Sequence, residues 1–246
     1  MERPVALITG GASGIGQAVC RALAARDDLV IVADLDEQGA GLVAEEVGGH
    51  AVALDVADYE ANAAAVAFAV ERGGRLDHVF LNAGISTGTT FGDDFDLETY
   101  RRAMAINLDG VVYGLQAALP ALRAARGSAV ATASLAGLTG VPMDPFYAAN
   151  KHGVVGLVRS AGPVLEAEGV RLNAICPGFT ESAIIAPIRA ALTETGVPII
   201  PTDVVAEAVV ELLEGEATGT CVFVQNGRPP APFAFRNIPG PRPTGD

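Results

Sequence analysis

The sequence predicts one α/β domain, a doubly wound parallel sheet of about seven strands with helices on both faces. Three observations carry that prediction. Short apolar runs alternate with longer segments of helical period from the first residues onward, the pattern of repeated strand-helix-strand units. Of the 246 residues 50% are hydrophobic and 18% charged, with no tryptophan, which suits a sheet covered on both sides. The length supports one large core and falls short of two full-sized domains. Residues 1–226 are therefore expected to form a single unit, with a proline-rich tail over 227–246.

Taken in order, the strands are expected at residues 5–9, 29–34, 50–55, 78–83, 128–134, 171–176 and 221–225, each rich in Val, Leu, Ile or Ala. Between them, residues 14–26, 37–47, 59–72, 97–123, 146–168 and 202–214 repeat apolar residues every three or four positions, as amphipathic helices do. Residues 178–201 interrupt this rhythm; Ile184, Ile185, Ile188 and Leu192 there could share one apolar face of a short helix, and a lid could form. Beyond Gln225 six prolines and no periodicity predict an extended or disordered tail, whose Phe233 and Phe235 could dock on the body or on a neighbouring subunit.

The formal net charge of -13, with no cluster of Lys or Arg to offset it, argues against nucleic acid as a partner. No apolar run approaches the ~20 residues that span a bilayer, and the first strand leaves no room for a signal peptide, so a cytoplasmic protein without membrane partners is expected. Cys20, Cys176 and Cys221 are scattered among apolar neighbours, and His50, His78 and His152 lack ligand spacing. Buried thiols and structural histidines are expected, and no metal.

The first strand runs into Gly10-Gly11-Ala12-Ser13-Gly14-Ile15-Gly16 and then a helical pattern. Glycines there let the backbone approach a pyrophosphate, while the helix N-terminus offers free N–H groups, so a Rossmann-type dinucleotide site is expected. The second strand ends in Asp34, about 20 residues beyond the turn, where a carboxylate can accept from the adenosine ribose hydroxyls. A carboxylate repels a 2′-phosphate, and neither Leu35 nor Asp36 is basic, so NAD is preferred over NADP. Asp55 and Val56 after the third strand, and Asn82, Ala83 and Gly84 after the fourth, stand where open α/β sheets line their clefts. Asp34, Asp55 and Asn82 could each instead cap a helix or form a turn.

Tyr147 and Lys151 stand four residues apart at the start of a helix, hence on one face. A free tyrosine has a pKa near ~10 and becomes a useful base only where a positive charge stabilises the phenolate, which Lys151 can supply. Ser134, at the end of the fifth strand, could hydrogen-bond a substrate oxygen beside the phenol.

In this order and spacing, Gly10-x-x-x-Gly14-Ile15-Gly16, Asn82-Ala83-Gly84, Ser134, Tyr147-x-x-x-Lys151 and Pro177-Gly178 make the chain resemble the short-chain dehydrogenase/reductase family over about residues 4 to 225. The resemblance implies that Tyr147 donates and accepts the proton, that Lys151 lowers its pKa and binds the nicotinamide ribose, and that Ser134 orients the substrate. It also implies that Asn107 holds a water linking Lys151 to solvent, although by itself Asn107 reads as an ordinary polar helix residue. Pro177, Gly178, Thr180 and Ser182 match the segment that contacts the nicotinamide; many members carry threonine where Ser182 stands, which leaves Thr180 and Ser182 as alternatives for the carboxamide contact. Gln225-Asn226-Gly227 departs from the Asp-Gly-Gly-like turn common at the end of the last strand.

The function expected is therefore NAD-dependent interconversion of a secondary alcohol and a ketone on a hydrophobic small molecule, with Ile184, Ile185 and Ile188 either lining the substrate site or packing a helix into the core. Two rivals stand beside it: a nucleotide-sugar epimerase or dehydratase, against which length and glycine spacing argue, and a catalytically silent NAD-binding sensor, which would not require Asn107, Ser134, Tyr147 and Lys151 together. By resemblance a homodimer or homotetramer is expected, paired through the helices at 97–123 and 146–168.

Overall fold

The computed structural model describes residues 3–236, which form one eight-stranded sheet in the order β3-β2-β1-β4-β5-β6-β7-β8. Strands β1 (Val5–Thr9), β2 (Leu29–Asp34), β3 (His50–Ala53), β4 (His78–Leu81), β5 (Ser128–Thr132), β6 (Arg171–Pro177) and β7 (Cys221–Val224) are parallel, and β8 (Ala231–Pro232) is antiparallel. The chain runs outward from β1 to β3, then returns across β1 to β4. That reversal opens a crevice at the carboxyl ends of β1 and β4, where ligands of such sheets bind.

Alternate side chains feed two cores. Ile8, Val32, Phe80 and Ile175 face α1 (Gly14–Ala24), α2 (Glu37–Val47) and α8 (Thr202–Glu214), joining Val19, Leu23, Val43, Val209 and Leu213. Leu7, Ile31, Leu81 and Leu172 face the other way, toward α3 (Tyr59–Gly73), α5 (Gly110–Ala125) and α6 (Pro145–Glu166). Each such fully buried side chain contributes about 1.5–3 kcal/mol. The near-continuous apolar strands are what a sheet buried on both faces requires.

Several boundaries differ from the sequence expectation for identifiable reasons. Strands expected to reach residues 55, 83 and 134 stop at Ala53, Leu81 and Thr132. Beyond these points side chains take over backbone bonding: Asn82 N and Ala83 N donate to Thr9 Oγ1 (2.9 and 3.2 Å), and Asp55 Oδ1 accepts from Ala57 N (3.0 Å). The helix expected over 97–123 is α4 (Leu97–Met104), a π-helical segment Ala105–Asp109, and α5. Within that wider turn Asn107 directs its amide at Ile85, and π-turns of this kind concentrate at functional sites.

Two further corrections concern the C-terminal third. Residues 178–201 hold a 3-10 turn Ala183–Ile188 and the short α7 (Arg189–Glu194), but the expected apolar face is split: Ile185 and Leu192 are buried, while Ile184 and Ile188 face solvent. The tail is docked at its start. Its β8 adds an edge strand to Val222 and Phe223, and Phe235 packs under the Arg159 guanidinium of α6 at 3.7 Å. Pro232, which has no N–H to offer, makes a fitting last strand at a sheet edge. The rest of the predicted tail, 237–246, lies outside the described residues.

At the opposite end of the sheet from the crevice, Asp28 is buried with Oδ2 unpartnered, and burial, then Glu214 and Asp77, raise its carboxyl to about 6. A raised carboxyl stabilises the fold below the unfolded pKa and loses that contribution as pH rises to about 6. Asp28→Asn is therefore expected to stabilise the protein by ~1–2 kcal/mol near pH 7.5, with the gain gone below about pH 4, read by denaturant unfolding at both pH values.

Candidate active site

The crevice begins at the glycine turn. Gly10 and Gly14 have φ of +64° and +53°, conformations that disfavour a side chain, and a Cβ on Gly16 would lie 2.1 Å from Gly10 O. Ser13 precedes α1 without capping it, and no acidic residue occupies the first turn. The N–H groups and positive dipole end of an 11-residue helix therefore face the crevice, the donor set that a pyrophosphate needs. Ile15 is partly buried on that first turn, and a Cβ on Gly14 would sit 3.4 Å from Ser182 Cβ, so the segment after β6 reaches the same end of the crevice.

Asp34 ends β2 with both oxygens engaged on backbone: Oδ2 accepts from Ala12 N and Oδ1 from Asp36 N, each at 3.0 Å. It thus braces the glycine turn, and a carboxylate still has lone pairs left for hydroxyl donors. Leu35 beside it is exposed, Asp55 is exposed in the turn after β3, and Val56 is buried beneath that turn. The turn readings of Asp34 and Asp55 are therefore realised.

Asn82, expected at the border of the cleft, has its amide engaged on the protein. Its Nδ2 donates to Thr9 O (3.1 Å) and Gly10 O (3.3 Å), and its Oδ1 accepts from Thr132 Oγ1 (3.1 Å). The side chain ties three strand ends together and leaves Ala83 and Gly84 as the backbone that borders the crevice. Gly84 is small for a reason: a Cβ there would lie 3.1 Å from Asn107 Oδ1 and 3.6 Å from Lys151 Nζ.

Tyr147, Lys151, Ser134 and Asn107 converge next to this point. Helix α6 starts at Pro145 behind Asp144, whose Oδ1 caps Tyr147 N at 3.0 Å and whose Oδ2 accepts from Thr87 N at 3.3 Å. Ser134 caps the 3-10 turn after β5 through Ala136 N (3.1 Å), and its hydroxyl lies near the Tyr147 phenol. Lys151 is 2% exposed, its Nζ donating to Thr132 O at 2.8 Å and lying 5.6 Å from the Tyr147 ring centroid.

The electrostatics follow from burial. Desolvation lowers Lys151 to about 8, against an ordinary value above 10. Desolvation also raises Tyr147; the nearby Ser134 hydroxyl opposes that shift and the Asp144 charge adds to it. Burial thus drives the two groups apart: the phenol holds its proton more firmly, and the amine gives its proton up more readily. Asn107 is fully buried, and both ends of its amide bond Ile85, accepting from N and donating to O at 2.9 Å each. The side chain therefore fixes the loop after β4; a water toward Lys151 would have to be held by the main chain of the π-helical segment.

After β6, Pro177 and Gly178 pass close to Ser134 and Leu135: Ser134 Oγ is 3.5 Å from Pro177 O, and a Cβ on Gly178 would meet the Leu135 side chain at 3.3 Å. Thr180 is buried with Oγ1 donating to Gly178 O (3.1 Å), and Ser182 Oγ donates to Thr180 O (3.0 Å). Both hydroxyls are engaged within their own segment, and Ser182 is the one that approaches Gly14.

Thr132 and Asp144 were missed at the level of sequence. Asp144 was legible as an N-cap followed by Pro at the first helical position. Thr132 acts through its main-chain carbonyl, for which no residue type is a signal.

The profile of the short chain dehydrogenase family matches residues 4–193. The chain belongs to that family. Among its relatives, cyclohexanol dehydrogenase of Acinetobacter sp. (strain SE19) is 38% identical over 193 residues, 76% of this chain and 77% of that protein. Trans-4-hydroxycyclohexanecarboxylate dehydrogenase of Sinomonas cyclohexanicum is 39% identical over 196 residues, 75% of each. Of solved structures, a 3-ketoacyl-(acyl-carrier-protein) reductase from Brucella melitensis complexed with NADH superposes with a TM-score of 0.84 at 27% identity, covering 92% of this chain and 98% of that one. This short-chain dehydrogenase is thus an oxidoreductase that acts on hydroxyl groups.

Proposed function

We propose that this short-chain dehydrogenase uses NAD to interconvert a hydrophobic, alicyclic secondary alcohol and its ketone, with Tyr147 as acid and base. The observation that carries the reading is the buried Lys151 amine, held on Thr132 O and lying 5.6 Å from the Tyr147 ring, with the Ser134 hydroxyl near the phenol. When bound, NAD accepts the hydride from the alcohol carbon. Ser134 Oγ holds the substrate oxygen, Tyr147 Oη takes its proton, and Lys151 Nζ supplies the charge that favours the phenolate. Thr132 O holds Lys151 Nζ in place by the 2.8 Å bond. In ketone reduction the same phenol returns the proton, so oxidation speeds up as pH rises and reduction slows.

Cyclic alcohols are chosen because relatives 36–39% identical are named for cyclohexanol and hydroxycyclohexanecarboxylates. Asp34 supports NAD over NADP, since its carboxylate would meet a 2′-phosphate. With cyclohexanol as substrate, the wild type is expected to favour NAD, and Asp34→Ala combined with Leu35→Arg is expected to shift the ratio of kcat/KM values toward NADP by at least ~10-fold. A wild type that prefers NADP, or a ratio unmoved by both changes, contradicts the cofactor assignment. A homodimer or homotetramer is part of the same proposal, supported by exposed Leu97 on α4, Val112 on α5 and Val164 on α6. A cytoplasmic location is supported by three cysteines that remain buried free thiols.

A further inference from the structure

Three segments surround Tyr147, and their charges are predominantly acidic. The loop after β4 (84–96) is tied to the start of α6 by Asp144 and by Phe146, whose ring lies 4.5 Å from Phe91 and 5.8 Å from Phe95. Residues 135–147 lead into Tyr147 itself, and residues 178–194 leave β6 beside Ser134. Together these segments carry Asp93, Asp94, Asp96, Asp144, Glu181 and Glu194. Their only base, Arg189, forms an ion pair with Glu181.

The same segments expose apolar side chains to solvent. Met143 is 89% and Phe91 71% exposed, and Phe179, Ile184 and Ile188 are also open to solvent. An apolar rim whose carboxylates outnumber its one arginine, itself paired with Glu181, favours an uncharged hydrocarbon ring over a substrate carboxylate. Each acidic group within reach of a bound anion would instead repel it.

We infer that the substrate site of this enzyme selects uncharged alicyclic alcohols and rejects those that carry a carboxylate, with discrimination set by the rim of Phe91, Met143, Phe179, Ile184 and the Glu181-neutralised Arg189. This inference rests on the alcohol-oxidation reading and goes beyond it, because relatives of comparable identity are named for both kinds of substrate. Like-charge repulsion and the lost hydration of an unpaired carboxylate act in the same direction.

The test uses the full chain with NAD and one matched pair of substrates, trans-4-hydroxycyclohexanecarboxylate and its methyl ester, at low salt. The ester is expected to exceed the acid in kcat/KM by at least ~30-fold. Met143→Arg and Glu181→Gln, which respectively add a cation and release one, are each expected to shrink that ratio by at least about 5-fold, an effect that added salt reverses. Acid and ester turned over equally, or a ratio that neither variant moves, overturns the inference while leaving alcohol oxidation standing. No turnover of the acid, the ester or cyclohexanol by folded, NAD-binding protein overturns the alcohol-oxidation reading itself, and the inference with it.

Discussion

Tyr147→Phe is expected to lower kcat/KM for alcohol oxidation by ~10³-fold or more while the dissociation constant for NAD stays within a few-fold. The size follows from what the hydroxyl does. General acid-base catalysis contributes ~10²–10⁴-fold, and the substitution removes the hydroxyl proposed for that role. Binding survives because the cofactor contacts proposed for the glycine turn and Asp34 lie elsewhere in the crevice. The ring also keeps its packing, since only one oxygen atom is removed. Stopped-flow turnover set beside fluorescence titration of NAD reads both quantities; a variant with near-normal turnover contradicts the role given to the phenol.

The second large effect concerns Lys151, the one lysine in the chain. Lys151→Met retains an apolar stem of similar length and removes the charge, so kcat/KM is expected to fall by ~10²-fold or more with the pH limb of oxidation displaced upward. The structure supplies an independent check. Burial places the amine at about 8, and it can be followed without assignment, because protein labelled with ¹⁵N-lysine carries a single side-chain signal. A titration midpoint near 8 agrees with a desolvated ammonium held on Thr132 O; a midpoint above about 10, the value of a free lysine, contradicts the burial argument.

Much of this arrangement was legible in the sequence because strands buried on both faces and amphipathic helices leave strong periodic signals. The seven parallel strands and the helices 37–47 and 202–214 follow directly from that pattern. What escaped was whatever depends on a partner distant in sequence. The π-helical segment at Ala105–Asp109 arises because Asn107 bonds Ile85, 22 positions away, and a local pattern sees only a continuous helix. Strand β8 exists because β7 offers an open edge and Arg159 a seat for Phe235, neither of which is visible in a run of prolines.

The site shows the same division. Residue types with demanding chemistry, such as Tyr147, Lys151, Ser134 and the glycines of the turn, announce themselves by spacing. Asn82 announced itself too, but only the fold reveals that Thr9, Gly10 and Thr132 engage its amide. The apolar run Ile184, Ile185 and Ile188 likewise held two answers at once: Ile185 packs into the body, while its neighbours face outward at the rim.

The measurement that tests the central claim most directly is the growth of reduced-nicotinamide absorbance when purified protein meets cyclohexanol, with NAD and NADP in parallel and Tyr147→Phe as the control. Growth with NAD that the Tyr147→Phe protein abolishes is the result expected. Growth that the substitution leaves intact, or none with either cofactor from folded protein that binds NAD, would contradict the account.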